Sequence, residues 1–324
     1  MANEHLTVTV RRGKFCLFLI VLTVTIKNSA GSVRISASDQ KCLGQYCGRL
    51  NGTECGRCPR GYRTDGYFCR ECLNNPTLYD WLYLGFMALV TTLMHYTFNY
   101  QYSRTQKHMV IMQISATLES LLSGLFTLLV TEPKGSLLIH TCEVKKLSDW
   151  YTVFFNPKPD HVNEIRCTQE AVYPLYSMVL YYYAFCVLLL LVFRPLISMK
   201  LCESQGSKCI YAALYFLPIT AMIHATCAGL LYYSYPYLLL IGSILSTAIL
   251  LAMKKIANFK DLLAKKDVIV ILIGHWILHA FSLIALTEWS EPSVNGPLFL
   301  MVFFPSVFYI MTVKLSSPNK FTGP

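Results

Sequence analysis

Long apolar runs separated by short polar segments fill the chain after residue 79. Seven of these runs come close to the ~20 residues that an α-helix needs to cross the hydrocarbon core of a bilayer. The pattern predicts an all-α polytopic membrane protein, with about seven transmembrane helices in a membrane domain over residues 79–313. The runs lie at 80–99, 109–131, 171–193, 209–233, 235–252, 268–287 and 297–313.

A shorter apolar run lies near the amino terminus. It covers 15–26, follows basic residues at 11–14 and precedes small residues at 28–31. Basic residues, a short apolar run and small residues in this order are typical of a signal peptide, and the run is short for a membrane span. Residues 1–30 are therefore interpreted as a cleaved signal peptide, with an uncleaved signal anchor as the alternative.

Composition supports a membrane location. Of the 324 residues, 54% are hydrophobic and 14% charged, whereas soluble domains carry about 25% charged residues. The formal net charge of +10 is compatible with binding to nucleic acid or to anionic lipid. In a membrane protein, however, a basic balance usually reflects cytosolic loops, so no nucleic-acid partner is expected.

Cysteine is concentrated between the leader and the first span, in residues 31–78. Six of the thirteen cysteines lie there among glycine and arginine residues, in a segment with too few apolar residues for a core. Disulfide bonds or zinc bound by the C-x2-C pairs at 55–58 and 69–72 would each stabilise such a segment. A signal peptide favours disulfides, because it leads to an oxidising lumen.

Two further cysteines lie in the long loop 132–170 and are expected to form a disulfide of their own, with free thiols as the alternative. The pairing cannot be deduced from sequence. The disulfide candidates are Cys42, Cys47, Cys55, Cys58, Cys69, Cys72, Cys142 and Cys167. Asn51 begins an Asn-Gly-Thr sequon and is predicted to be glycosylated in the lumen.

Charge predicts the topology. With a lumenal amino end, the segments predicted to be cytosolic hold twelve basic and three acidic residues, and the loops opposite hold five basic and eight acidic. This asymmetry follows the positive-inside rule. The cytosolic segments are 100–108, 194–208, 253–267 and a tail at 314–324, and the lumenal loops are 132–170 and 288–296.

Four predicted spans contain ionisable side chains, which are costly in lipid. Glu119 lies in the second span, His224 in the fourth, and His275 and His279 share one face of the sixth. With His95 in the first span, the histidines could bind zinc in an intramembrane lipid hydrolase. Hydrogen bonds between helices are the favoured explanation, because no catalytic motif accompanies them. No catalytic residue, metal or cofactor is expected.

The fourth and fifth runs are joined by little more than Ser234-Tyr235-Pro236. So short a connection predicts an antiparallel hairpin. It also argues against a heptahelical ligand receptor, the other alternative, because it leaves no large extracellular loop at this position.

Aromatic residues are frequent near the predicted span ends. Side chains of tyrosine and tryptophan collect at membrane interfaces, so these residues are interpreted as an interfacial belt. The set comprises Tyr79, Trp81, Tyr83, Trp150, Tyr151, Tyr173 and Tyr176.

Nine short segments, in order over about 240 residues, resemble the JNK-associated membrane protein family, known as JAMP. They are CLGQYCG at 42–48, CGRCPRGYR at 55–63, YDWLYLGFMA at 79–88, LSDWYT at 147–152, EAVYPLY at 170–176, YYAFC at 182–186, IYAALYF at 210–216, GLLYYSYPY at 229–237 and HWILHA at 275–280.

The resemblance implies a multi-pass protein of the endoplasmic-reticulum membrane that is not an enzyme. Such a protein recruits proteasomes, ubiquitin ligases and other components of endoplasmic-reticulum-associated degradation for the removal of misfolded proteins. The resemblance also implies modulation of JNK signalling in the unfolded-protein stress response. A recruiter needs cytosolic contact surfaces, and the candidates are residues 254–266, 194–208 and the tail from Lys314.

Overall fold

The computed structural model describes residues 41–50, 54–103, 105–155, 167–201, 207–313 and 315. The predicted signal peptide, the sequon at Asn51 and most of the predicted tail lie outside these residues.

The described residues are mainly helical. The helices are α1 (Leu78–Tyr102), α2 (Gln106–Val130), α3 (Leu175–Leu201), α4 (Ser207–Met253), α5 (Phe259–Ala264), α6 (Lys266–Thr287), α7 (Pro292–Leu298) and α8 (Phe304–Thr312). Short 3₁₀ helices cover Leu147–Trp150, Thr152–Phe155 and Phe299–Val302.

Four of the described helices, α2, α3, α4 and α6, are long and apolar enough to cross a membrane. Residues 295–302 and 304–312 make a fifth candidate if they count as one span, although they are bent by 41°. The predicted count of seven is therefore not confirmed. The first predicted span lies in α1, which is not among these candidates, and the fourth and fifth predicted spans lie in one helix.

The predicted hairpin at 234–236 is wrong. Helix α4 continues through these residues, and its only residue with non-helical backbone angles is Cys227. Proline inside a helix leaves the carbonyl four residues earlier without its usual donor. Here Pro236 would leave the carbonyl of Tyr232 free, and the Tyr79 hydroxyl donates to that oxygen at 2.7 Å. A helix can therefore pass through Pro236, as transmembrane helices do where neighbouring groups replace the lost bond.

Helix α1 begins with a capping box that also fastens it to α4. The Thr77 hydroxyl accepts from the Asp80 N–H at 3.2 Å, and the Asp80 carboxylate accepts from the Thr77 N–H at 2.9 Å. These bonds satisfy amide donors that the first turn of a helix leaves free. The other oxygen of Asp80 accepts from the Tyr232 hydroxyl at 2.8 Å. One carboxylate therefore sets both the start of α1 and its position against the middle of α4.

Many of the aromatic rings lie in the main buried cluster rather than in a belt. Tyr83 and Trp150 are buried, and both pack on Tyr232, with ring centroids 5.2 Å and 5.0 Å apart. Tyr173 is buried as well, whereas Trp81 stays exposed. The prediction of an interfacial belt is therefore wrong for Tyr83, Trp150 and Tyr173. Near the Cys227 break, the hydroxyls of Tyr83 and Tyr176 donate to the carbonyl oxygens of Ala228 and Ala225.

A small region before α1 contains two pairs of short antiparallel strands. Strand β1 (Cys47–Gly48) pairs with β2 (Gly56–Arg57), and β3 (Tyr62–Thr64) pairs with β4 (Cys69–Glu71). Four disulfides join Cys42 to Cys55, Cys47 to Cys167, Cys58 to Cys69 and Cys72 to Cys142. The predicted disulfide between Cys142 and Cys167 is therefore wrong. Each instead fastens the loop between α2 and α3 to the cysteine-rich segment.

Asp149 joins the same two parts of the chain by hydrogen bonds. Its carboxylate accepts from Arg63 at 2.8 Å, from the Tyr46 hydroxyl at 3.0 Å, and from the backbone N–H groups of Lys145 and Lys146. Asp149 is 1% exposed, so these donors replace the water that the charge has lost. Burial raises the pKa of Tyr46 to about 12, so its hydroxyl remains a donor at neutral pH.

Breaking the disulfide between the cysteine-rich segment and the loop should destabilise the protein. Replacing both Cys72 and Cys142 by serine is expected to lower the free energy of unfolding by about 2–4 kcal/mol, because the unfolded chain is released from a cross-link. Thermal unfolding of the protein in detergent measures the change. Cys227→Ser is the control, because this thiol forms no disulfide. Free thiols at Cys72 and Cys142 in the unreduced parent protein would contradict the pairing.

Candidate functional site

Glu119 of α2 and Arg194 of α3 form an ion pair inside the helical domain. The Arg194 Nε lies 3.0 Å from each carboxylate oxygen of Glu119. The Arg194 side chain is fully buried and that of Glu119 is 4% exposed. The Ser115 hydroxyl, one turn before Glu119, donates to the same carboxylate at 2.6 Å. The single Nε–H of Arg194, shared between both oxygens, and the Ser115 hydroxyl thus donate to one buried carboxylate and hold it firmly.

His95 of α1 completes the cluster. Its Nδ1 lies 3.0 Å from Nη2 of Arg194. A guanidinium group only donates hydrogen bonds, so Nδ1 must accept, and the imidazole is neutral with its proton on Nε2. The edge of the ring packs on Phe216 of α4, with centroids 4.8 Å apart. The cluster thus joins α1, α2 and α3 and rests on α4.

Polar side chains continue for one turn beyond the ion pair. Asn99, Ser115 and Ser198 lie four residues from His95, Glu119 and Arg194 respectively, and all three are buried. Within the described residues, both side-chain polar atoms of Asn99 and the Nη1 of Arg194 have no hydrogen-bond partner. The cluster therefore retains hydrogen-bonding capacity that its own helices do not use.

The pairing explains how a charge is tolerated in α2. A lone charged side chain at the centre of a bilayer costs at least ~2.5–3.5 kcal/mol, and removal of one partner from a buried ion pair costs about 3–5 kcal/mol. The interaction between Glu119 and Arg194 is large on this scale because neither group has water around it. It is the strongest electrostatic tie between α2 and α3 among the described residues.

Arg194 corrects one part of the predicted topology. Sequence reasoning assigned it to a cytosolic segment that begins at residue 194, but it lies within α3 and is completely buried. Its partnership with Glu119 was missed as well. The sequence did contain a signal for this pair. Glu119 is a lone acidic residue in an apolar span, and such a residue requires a partner from another span.

The other predicted polar residues lie apart from this cluster. His224 in α4 is buried, with Nδ1 3.3 Å from the Tyr83 hydroxyl and Nε2 3.0 Å from the carbonyl oxygen of Tyr176. His275 in α6 approaches the Thr247 hydroxyl at 3.4 Å, and His279 is buried one turn further along α6.

These positions do not support the zinc hydrolase. Across the described ranges, no group of three histidine, cysteine, aspartate or glutamate side chains could hold a metal ion. His95 faces a guanidinium group, and His224 bonds a tyrosine and a carbonyl. The hydrogen-bonding explanation therefore agrees with the geometry of both residues.

A basic surface lies at the opposite end of α4 from Ser207, where the chain turns into α6. We call residues 254–266 the basic turn. Ile256 and Leu262 are buried against α4, α6 and α8, whereas Phe259 and Leu263 are 50% and 72% exposed. Five lysines surround these exposed side chains, and of these Lys254 pairs with Asp267 at 3.0 Å. The five lysines are Lys254, Lys255, Lys260, Lys265 and Lys266.

Comparison with known proteins identifies relatives over most of the chain. The sequence profile of the family described as JNK1/MAPK8-associated membrane protein matches residues 42–318. The JNK1/MAPK8-associated membrane proteins of Homo sapiens and Mus musculus are each 42% identical over 294 residues, which is 86% of this chain and 94% of theirs. The homolog from Caenorhabditis elegans is 28% identical over 313 residues, or 94% of both chains. No solved structure matches.

The names of these relatives are those of kinase-associated membrane proteins rather than of enzymes. The family match begins in the cysteine-rich region and extends through all described helices.

Removal of one member of the ion pair should destabilise the helical domain strongly. Arg194→Met is expected to lower the free energy of unfolding by about 3–5 kcal/mol, because it leaves Glu119 charged and without a partner in an apolar interior. Titration of the purified protein with denaturing detergent measures the loss. Lys200→Met is the matched control, since Lys200 is exposed on the same helix.

The double variant Glu119→Gln with Arg194→Met should recover much of the stability, because no charge remains buried. If the double variant is as unstable as the sum of the two single variants, Glu119 and Arg194 do not interact as described.

Proposed function

Because the chain belongs to the JNK1/MAPK8-associated membrane protein family, we propose that it is a membrane adaptor that binds a JNK-type kinase from the cytosol. In this proposal the protein resides in the endoplasmic-reticulum membrane. It recruits proteasomes, ubiquitin ligases and associated components for the degradation of misfolded proteins, and it modulates JNK signalling under stress. The observation that carries the kinase association is the 42% identity with a human protein named for it.

The topology that we propose places the cysteine-rich segment 31–78 in the lumen and the basic turn in the cytosol. Disulfides form in oxidising compartments, and four of them join residues of this segment and the following loop. Lysine residues collect in cytosolic segments of membrane proteins. The two regions lie at the ends of candidate membrane helices, which makes them available to different compartments.

Helix α4 is longer than a single crossing of the membrane requires. An α-helix from Ser207 to Met253 is about 70 Å long, more than twice the ~30 Å thickness of a hydrocarbon core. Both sides of the break at Cys227 pack along α1, because Phe216 contacts His95 and Tyr232 contacts Tyr79, so α4 bends at Cys227 without reversing. Residues just beyond the break contact the lumenal region, because Gly229 adjoins Trp150 and Tyr151. The cytosolic position that we propose for the basic turn is therefore supported by its lysines rather than by the path of α4.

The basic turn is the described cytosolic surface that best suits a protein partner. It presents exposed apolar side chains at Phe259 and Leu263, and lysines that no described acidic residue neutralises except at Lys254. Interfaces commonly combine an apolar centre with a charged rim that guides association. Part of this charge also serves to orient the membrane helices, as the positive-inside rule requires.

The basic turn packs on an apolar cluster that fixes its position. Ile256 and Leu262 anchor it in a small apolar cluster with Leu251, Val268 and Ile310. The Lys265 side chain donates to the carbonyl oxygen of Lys254 at 2.7 Å and closes the turn. A rigid support of this kind lowers the entropic cost of binding a partner.

Co-purification tests the proposal. The tagged full-length protein is isolated in mild detergent from stressed cells, and JNK, proteasome subunits and ubiquitin ligases are quantified by mass spectrometry. We expect all three classes with the parent protein. The variant Lys255→Glu, Lys260→Glu and Lys266→Glu should recover them several-fold less well, because it reverses the charge of the basic turn. The Lys254–Asp267 pair stays intact in this variant.

The matched control replaces Lys41, Lys145 and Lys146 by glutamate, which changes as many exposed lysines in the region assigned to the lumen. Recovery should be unchanged there. Absence of JNK from the parent preparation would contradict the kinase association. Presence of JNK without proteasomes or ligases would contradict the degradation role alone.

A further inference from the structure

A cleft of roughly 790 Å³ opens in the disulfide-bonded region. One wall is formed by residues 41–46 and 63–66, and the other by residues 145–149 of the loop between α2 and α3. Ligand pockets in proteins usually measure about 300–1,000 Å³, so the cleft is large enough for a bound molecule. Because the disulfides Cys47–Cys167 and Cys72–Cys142 join the two walls, the cleft does not depend on a flexible contact.

Both carboxylates that line the cleft are already engaged. Asp149 lies at its base and accepts from Arg63, from Tyr46 and from two backbone amides. Asp65 accepts from the N–H groups of Tyr67 and Phe68, and from Arg70 at 2.6 Å. These bonds lower the pKa of Asp65 to about 2, with the two backbone N–H groups as the main cause, so it stays ionised and paired.

Of the four cationic side chains named in the cleft, only Arg63 is paired with a carboxylate among the described residues. Arg63 uses Nη2 on Asp149 and Nη1 on the carbonyl oxygen of Glu143. Lys41, Lys145 and Lys146 are exposed, and in the part of the chain that the structure describes no carboxylate lies within 4.0 Å of their ammonium groups. Glu71 and Glu143 line a neighbouring depression that Lys145 also borders, so they mark the edge of the positive region.

We propose that this lysine cleft, formed by Lys41, Lys145 and Lys146 around Asp149, binds an acidic segment of a polypeptide. Three separate positive charges stand on two facing walls, Lys41 on one and the adjacent pair on the other. An extended chain with several carboxylates can reach both walls, and each contact is a charge-assisted hydrogen bond. The cleft is a second binding surface, distinct from the basic turn.

A polypeptide suits the cleft better than a single phosphate group. Phosphate sites usually bring an arginine fork or several backbone amides together on one point. Here Arg63, the only lining arginine among the described residues, already donates from each terminal nitrogen to the protein, and the backbone N–H groups of Lys145 and Lys146 donate to Asp149. Lysines on flexible stems, by contrast, adjust to carboxylates at variable spacing.

The inference does not require the kinase association, and it extends the proposed role. On the face assigned to the lumen, a site for acidic segments would let the adaptor contact a polypeptide directly. The cytosolic face would remain free for its partners.

Fluorescence anisotropy with the full-length protein in detergent tests the proposal. The probe is a labelled peptide of four Glu-Gly repeats, and the neutral comparison is a peptide of four Gln-Gly repeats. The parent protein should bind the acidic peptide and not the neutral one. The variant Lys41→Gln, Lys145→Gln and Lys146→Gln should bind it at least about tenfold more weakly, because the uncompensated charges are removed. These side chains are exposed, so the variant is expected to fold normally.

The control variant is Lys107→Gln, Lys134→Gln and Lys200→Gln, which removes equal charge at exposed positions outside both the cleft and the basic turn. It should bind the acidic peptide like the parent protein. Replacing the three cleft lysines by glutamate should abolish binding of the acidic peptide and allow binding of a Lys-Gly peptide. The protein with the cleft lysines replaced by glutamine should still co-purify with JNK, which separates this test from that of the proposed function.

Three outcomes would overturn the inference. The parent protein does not bind the acidic peptide, or the cleft variant binds it as tightly as the parent does, or the two glutamine variants lose binding equally. Displacement of the peptide by inorganic phosphate at the concentration of the peptide itself would assign the cleft to small anions instead.

Discussion

The hydrocarbon interior of a membrane offers no water to a charged side chain, and the pair of Glu119 and Arg194 meets this constraint inside the protein. The pair requires α2 and α3 to lie side by side at one relative height, because both residues are buried and 3.0 Å apart. His95 brings α1 to the same place and accepts from the guanidinium group. The same constraint explains the tyrosine hydroxyls near Cys227 and Pro236, which bond backbone carbonyls where the regular bonding of α4 is interrupted.

Outside the helices, covalent bonds replace the hydrophobic core. The cysteine-rich region has only very short strands, and the cluster around Cys42, Tyr46 and Cys47 is small. Two disulfides and the buried Asp149 attach this region to the loop between α2 and α3, and Trp150 of that loop enters the aromatic core beside Tyr83. The region is therefore fastened to the helices, and the position of its exposed lysines follows from that attachment. The basic turn, at the end of α4, packs on its own apolar cluster.

Apolar runs predicted where helices occur, because the need to bury backbone polar groups acts locally. Tertiary partners were harder to predict. Arg194 follows an apolar run directly and resembles a residue of a cytosolic loop, and only its contact with Glu119 explains its burial. Pro236 resembles a turn residue in the sequence. The helix continues through it because the Tyr79 hydroxyl donates to the carbonyl oxygen of Tyr232, which Pro236 cannot bond. The cysteines indicated cross-links, but their partners depend on how the loop folds back on the amino-terminal region. Tyr83 and Trp150 resemble interfacial residues because aromatic side chains suit both an interface and a core.

In the topology that we propose, the cysteine-rich region and the basic turn lie on opposite sides of the endoplasmic-reticulum membrane. Cysteine labelling in sealed microsomes measures this directly, with Leu73→Cys and Lys260→Cys as single reporters at exposed positions and the parent chain as background. The account predicts that a membrane-impermeant maleimide labels Lys260→Cys in intact vesicles, and labels Leu73→Cys only after detergent opens them. Equal labelling of both reporters in intact vesicles, or labelling of Leu73→Cys alone, would contradict it.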